Sequence, residues 1–180
     1  YLSEHRLRFA FGVLFAIALV ALLLQQLILV ADFRVDDAYI SFSYAKNLAS
    51  GRGLVFSEDI RVEGYSNFLW VLFTALGYLF VGTNDDPFPV VRVFAFVFLL
   101  TAGFLTYKLS RQKAGSFISL CAVLLLFSST DLFRAAQSGL ETVPYVAAVL
   151  FGWWVYCGEL DGQRRWSMLA FVPAALMRVD

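Results

Sequence analysis

Asp36 and Asp37 stand side by side in "RVDDAYISFSYAKNLASGRG", residues 34–53, a stretch that follows directly on a long apolar run. Two adjacent carboxylates at the head of a helical pattern can do a limited set of things. A carboxylate at a helix N-terminus is held as the anion by the dipole and the free amides, and an anion is what a general base must be. A second carboxylate beside it can share a divalent cation or orient a hydroxyl. The same pair also reads as one helix cap and one solvated acid. On the residues alone both readings stand.

Other groups could join them. Glu141 lies in "AQSGLETVPY", residues 136–145, at the entry of an apolar run, where it could bind substrate or, with Thr142 and Pro144, simply start a helix. The closing "LMRVD" carries Arg178 and Asp180 at the end of the run 166–178. That run is only about 20 Å as a helix, against about 30 Å of hydrocarbon. Charges at that depth face a cavity or a partner. A phosphate-bearing ligand would need one or two of Arg34, Lys46, Arg52, Arg61, Arg92, Arg134 and Arg178. Arg134 and Arg178 are preferred, since each is close in sequence to an acid in a short loop. In "VEGYSNFLW", residues 62–70, Glu63, Tyr65, Asn67 and Trp70 could line a sugar site, the aromatic rings stacking on the sugar and Asn67 binding hydroxyls. An aromatic belt at a membrane interface uses the same residues. With one histidine in the chain, there is no Cys/His metal cluster, and no P-loop, GxGxxG or GxSxG motif is present.

The elements that must position these groups are membrane elements. Of the 180 residues 60% are hydrophobic and 17% aromatic, and the mean hydropathy is +0.72, more apolar than a soluble domain of this size can bury. Fourteen basic residues balance fourteen acidic ones, which excludes a nucleic-acid partner relying on excess cations. Cys121 and Cys157 both sit in apolar runs and read as small core hydrophobes.

Apolar runs at about 9–30, 90–107, 115–130, 143–157 and 166–178 are expected to cross the membrane. A sixth, 67–82, is bounded by Asn67 and Gly82 and flanked by acids. Leaving it uncrossed puts the basic clusters His5/Arg6/Arg8, Lys108/Arg111/Lys113 and Arg164/Arg165 on one side, as the positive-inside rule requires. Residues 31–89, the loop near 130–141 and the terminal "RVD" then share the outer side with most of the acids. Within that outer loop, 36–50 reads as a surface helix: an aspartate at its N-cap, Ser50-Gly51 as its stop, and an apolar stripe of Ile40, Tyr44 and Leu48 with Ala45 beside it. The fold class expected is therefore an all-α membrane protein of about five transmembrane helices, with amphipathic juxtamembrane helices at about 36–50 and 67–82. The chain, running from Tyr1 to Asp180, is expected to be a portion of a longer polytopic protein.

"DDAYISFSYAKNLASGRGLVF", "VEGYSNFLW", "SGLET" and the terminal "RVD" together resemble the GT-C superfamily of polytopic glycosyltransferases, especially bacterial arabinofuranosyltransferase-like and mannosyltransferase-like members. The likeness covers most of the chain. It is most specific over the first two segments, and "RVD" departs from the Arg-Pro-Asp/Glu pattern of such proteins. The resemblance implies transfer of a sugar from a polyprenyl-phosphate donor to a hydroxyl of a glycan, lipid or protein acceptor. Transfer would take place at the outer face of a bacterial inner membrane, with inversion at the anomeric carbon. It implies a general base at Asp36 or Asp37 and juxtamembrane helices in the first outer loop. Some members bind a divalent cation, for which Asp36 and Asp37 would be the ligands. Glu141, Arg178, Asp180, Arg134, Glu63, Tyr65 and Asn67 are the expected substrate-binding residues. Two other classes compete: a transporter or flippase, with charges and broken helices near the membrane midplane, and a non-catalytic membrane assembly subunit.

Overall fold

The computed structural model describes residues 2–57, 62–160 and 166–178, with side chains from Ala10 onward. Asp180 lies outside the described residues. Among the described residues the regular elements are helices: α1 (Leu2–Leu29), α2 (Ala38–Ala49), α3 (Phe68–Val81), α4 (Phe88–Arg111), α5 (Ser116–Phe127), α6 (Thr130–Gln137), α7 (Thr142–Leu160) and α8 (Ser167–Met177). This is an all-α protein with the composition of a membrane protein.

Among the described residues, three helices are long and apolar enough to cross a bilayer: α1 over Ala10–Leu29, α4 and α7. A fourth crossing exists if α5 and α6 act as one span bent by 57°. That is fewer than the five crossings expected from the apolar runs. The shortfall is α8, whose 11 residues make about 16 Å of helix, half the hydrocarbon thickness. The run 130–141, expected as a loop, contains α6. Ser129 starts that helix by accepting from the Leu132 amide through its hydroxyl, a capping signal that the preceding apolar run obscures in the sequence.

The helix ends group in two sets. At one end the rings of Phe11, at the start of the apolar span of α1, and Phe117, at the start of α5, lie 5.5 Å apart. At the other, Gln26 near the end of α1 donates to the Ser128 carbonyl at 3.2 Å. Gln25 and Gln26 are the strongly polar residues of the apolar run 9–30, and Gln26 spends its amide on this bond. The break between α5 and α6 frees backbone carbonyls, and in an apolar setting each must find a donor. Helices α5 and α6 together match the length of α4, along which both pack. Their close approach needs Gly103, where a β-carbon would stand 2.4 Å from the Phe127 ring.

α7 and α8 form an antiparallel pair, with the Phe171 ring over Gly152. Counting forward along α8 and back along α7 from that contact brings Met177 level with Val146 and Arg178 level with Tyr145, in the first turn of α7. Met177 accordingly joins Val143, Trp70 and Phe88 in one buried cluster. The helix α3 lies against α2, α4 and α8. Its Trp70, Val71 and Thr74 face are fully buried, while Leu76, Leu79 and Phe80 are exposed. An apolar residue set on both faces of a short helix fits a helix lodged between protein and lipid.

The punctuation of α2 and α3 falls where turn chemistry puts it. Asn67 and Gly82 flank α3, with Gly82 at φ +92°. Helix α2 ends in a Schellman motif: the Arg52 amide bonds the Asn47 carbonyl, the Gly51 amide bonds that of Leu48, and Gly51 has φ +77°. Its buried face, however, is Ala38, Ser41, Phe42, Ala45 with Tyr44 and Asn47 beside it, and Ile40 is exposed. The stripe expected through Ile40 is rotated because α2 packs on two neighbours, the start of α4 and the whole of α3, rather than lying singly on a surface.

Candidate functional site

The site is built around the N-terminus of α2. Asp37 occupies the N-cap position, but its side chain makes no capping bond. The first turn is closed instead by main chain: the amides of Ala38, Tyr39 and Ile40 bond the carbonyls of Val35, Asp36 and Asp37. Both carboxylates are exposed, so neither is spent on starting the helix, and both stand at the positive end of its dipole.

One turn further along α2, Ser41 enters a buried polar chain. Asn67, at the N-cap of α3, donates from Nδ2 to the Ser41 hydroxyl at 2.9 Å and to Glu141 Oε2 at 2.8 Å, and the Ser41 hydroxyl donates back to Asn67 Oδ1 at 3.2 Å. Ser41 and Asn67 are both buried. Asn67 therefore joins segments 26 and 74 residues away in the chain. A second link runs beneath it: Trp70 Nε1 donates to the Gly139 carbonyl at 2.9 Å. A third joins the Val35 amide to the Ser138 carbonyl at 3.4 Å. The three acid-bearing segments thus converge at one end of the helix bundle.

The expected site residues divide sharply. Asp36, Asp37, Asn67 and Glu141 meet there. Arg178 caps the end of α8, with its amide on the Ala174 carbonyl, at the same level of the bundle as the start of α7. Trp70, read from sequence as a candidate sugar platform, is fully buried and cannot stack on a ligand. Tyr65 packs edge-on against Tyr44, with ring centroids 4.8 Å apart. Partial burial raises the Tyr65 phenol pKa, and the nearby Glu63 carboxylate and Tyr44 add to it. Tyr44 also ties down the loop before α3: its hydroxyl donates to the Val62 carbonyl at 2.8 Å and accepts from the Gly64 amide at 3.0 Å. Glu63 is exposed on that loop.

Arg134 does not join the group. It pairs with Asp131 on its own helix at 3.2 Å, with both side chains exposed, and lines a shallow cleft of about 240 Å³ at the end of α1 with Asp32 and Phe33. Two of the seven candidate cations, Arg34 and Arg92, stand instead on the Phe88 ring. The Arg34 guanidinium lies 4.7 Å from the centre of the Phe88 ring and is paired with Asp86 at 3.0 Å; that of Arg92 lies 5.4 Å from the same ring. Hydrogen bonding to Tyr39 first, and then to Asp86, raises the Arg34 pKa further above its ordinary value. The one available signal was the sequence proximity of Arg34 to the aspartate pair.

No group of three His, Cys, Asp or Glu side chains among the described residues is arranged to hold a metal ion. Asp36 and Asp37 supply two exposed carboxylates, the number that a magnesium ion shared with a substrate phosphate would take from protein. Comparison with protein-family models, curated proteins and solved structures finds no match to this chain.

Proposed function

We propose that this chain is a membrane glycosyltransferase of the GT-C type, or the N-terminal portion of one, acting at the outer face of a bacterial inner membrane. The observation that supports this reading is the hydrogen-bonded junction of Asn67 with Ser41 and Glu141. It draws together three of the four segments on which the family resemblance rests, at the end of the bundle where two aspartates free of capping bonds emerge.

The chemistry follows from that inventory. An acceptor hydroxyl attacks the anomeric carbon of a sugar joined to polyprenyl phosphate. The new carbon–oxygen bond forms as the bond to the phosphate oxygen breaks on the opposite face, so the configuration inverts. Asp36 or Asp37 takes the hydroxyl proton. The polyprenyl phosphate leaves as an anion and needs no general acid, only cations and alignment. Glu141, held by Asn67, is placed to accept hydroxyls of a bound sugar.

The test is transfer by the full chain in membranes. Asp36→Asn and Asp37→Asn keep size and capping ability but abolish a base. The variant at the base is expected to lose about 10²-fold or more in kcat, while the other retains most activity. Full transfer in both variants removes the mechanism.

One observation favours a second reading. The α5–α6 break at 57° and the Gln26 amide that serves it are features of a transporter path. Uptake of a solute into proteoliposomes, abolished by Gln26→Leu and untouched by the aspartate variants, would support transport instead.

A further inference from the structure

Arg92 projects from the second turn of α4, one turn after Phe88, and its nitrogens serve main chain on both sides of the site. Nη2 donates to the Phe33 carbonyl at 2.9 Å, and Nε reaches the Gln137 carbonyl at 3.4 Å. Phe33 lies three residues before Asp36 in the linker after α1. Gln137 is the last residue of α6, four residues before Glu141. Both carbonyls need a donor from outside their own element: one sits past the end of α1, and the other is at a helix C-terminus, where a cation is also favoured by the dipole. The planar fork of a guanidinium reaches two separated acceptors at once, which an ammonium does not do as well. The Phe88 ring completes the platform. It packs under Gly139 and against Tyr39 and Phe42, and it lies within 5.4 Å of the Arg92 guanidinium.

We infer that Arg92 is a positioning residue: by bonding the Phe33 and Gln137 carbonyls it sets the spacing between the segment that carries Asp36 and Asp37 and the segment that carries Glu141. Its catalytic consequence rests on the function proposed above; the clamp itself does not. Arg34, the neighbouring cation, engages side chains alone in its contacts with Asp86 and Phe88, and so serves as the matched control.

The experiment is backbone hydrogen exchange on the full chain in nanodiscs, with turnover measured on farnesyl-phosphoryl arabinofuranose and farnesyl-phosphoryl mannose. In Arg92→Met, exchange is expected to rise about tenfold over both 33–40 and 137–141, with no change over 47–52, where α2 ends. Arg92→Lys, which keeps the charge and secures the fold if the Met variant is lost, is expected to restore protection in at most one of the two segments. Arg34→Met is expected to leave both protected. kcat is expected to fall about tenfold in Arg92→Met with KM for the donor little changed, because alignment rather than binding is lost. Unchanged exchange in either segment, or a rise spread evenly over the whole chain, overturns the clamp. Raised exchange with an unchanged kcat overturns its role in the reaction. Transfer that survives both Asp36→Asn and Asp37→Asn overturns the proposed function and leaves the exchange result standing.

Discussion

Gly139 adopts φ +85°, and a β-carbon there would stand 2.8 Å from the Phe88 ring and 2.9 Å from Ala38 Cβ. Gly51 has φ +77° with open space around it. The pair separates backbone strain from steric conflict. Gly51→Ala is expected to cost about 1–2 kcal/mol, the left-handed penalty alone. Gly139→Ala adds overpacking of about 1–3 kcal/mol and should show a clearly lower thermal midpoint by tryptophan fluorescence in detergent. Equal midpoints for the two would mean that the α2–α4–α7 junction gives way freely at that point. Tyr65 supplies a pH prediction. Its phenol pKa is raised above 10.0 in the folded chain, so the stabilisation linked to its proton is present below the unfolded value and is lost as pH rises through the folded one. Difference absorbance at 295 nm between the wild type and Tyr65→Phe should show a phenol titrating later than an ordinary tyrosine, and Glu63→Gln should bring it earlier. Asp36 and Asp37 were legible as a pair in sequence. Their freedom from capping was not, because whether a side chain turns back to its own amides depends on the main-chain turn that precedes the helix.

The helices pair through glycines. At Gly152 a β-carbon would meet the Phe171 ring at 2.5 Å, and at Gly103 the Phe127 ring at 2.4 Å. Both rings are large enough that a side chain at either glycine must push the helices apart. Gly152→Val is expected to cost about 1–3 kcal/mol, shift α8 on α7 and loosen Met177 from its buried cluster, read as a lower thermal midpoint and faster exchange in α8. A variant as stable as wild type would contradict that contact. At this scale the helices α2 and α3 were foreseeable with their ends, since Asn67, Ser50-Gly51 and Gly82 act through a handful of local bonds. Helix α6 was not, because eight residues of mixed character after an apolar run read equally well as loop. The rotation of the α2 stripe away from Ile40 was also out of reach, since a second packing partner chooses the face.

Over the whole molecule, Asp36, Phe88 and Glu141 stand at one end and the turn joining α4 to α5, with Lys108 and Arg111 before it, at the other. A cysteine placed at Gln112 and one placed at Asp85, in a background lacking Cys121 and Cys157, should react with a membrane-impermeant maleimide from opposite sides of the bilayer. Labelling of both from the same side would contradict this arrangement. Composition, apolar run length and turn residues determined by themselves that the chain is helical and membrane-like, and where several helices start and stop, because those signals act within one turn of the chain. Only the tertiary structure decided that Asn67 bonds Glu141, that Trp70 is sealed inside, that Arg134 stands apart and that Arg92 spans two carbonyls. Those are pairings between residues tens of positions apart, chosen by how the helices pack against one another, and no local periodicity encodes them.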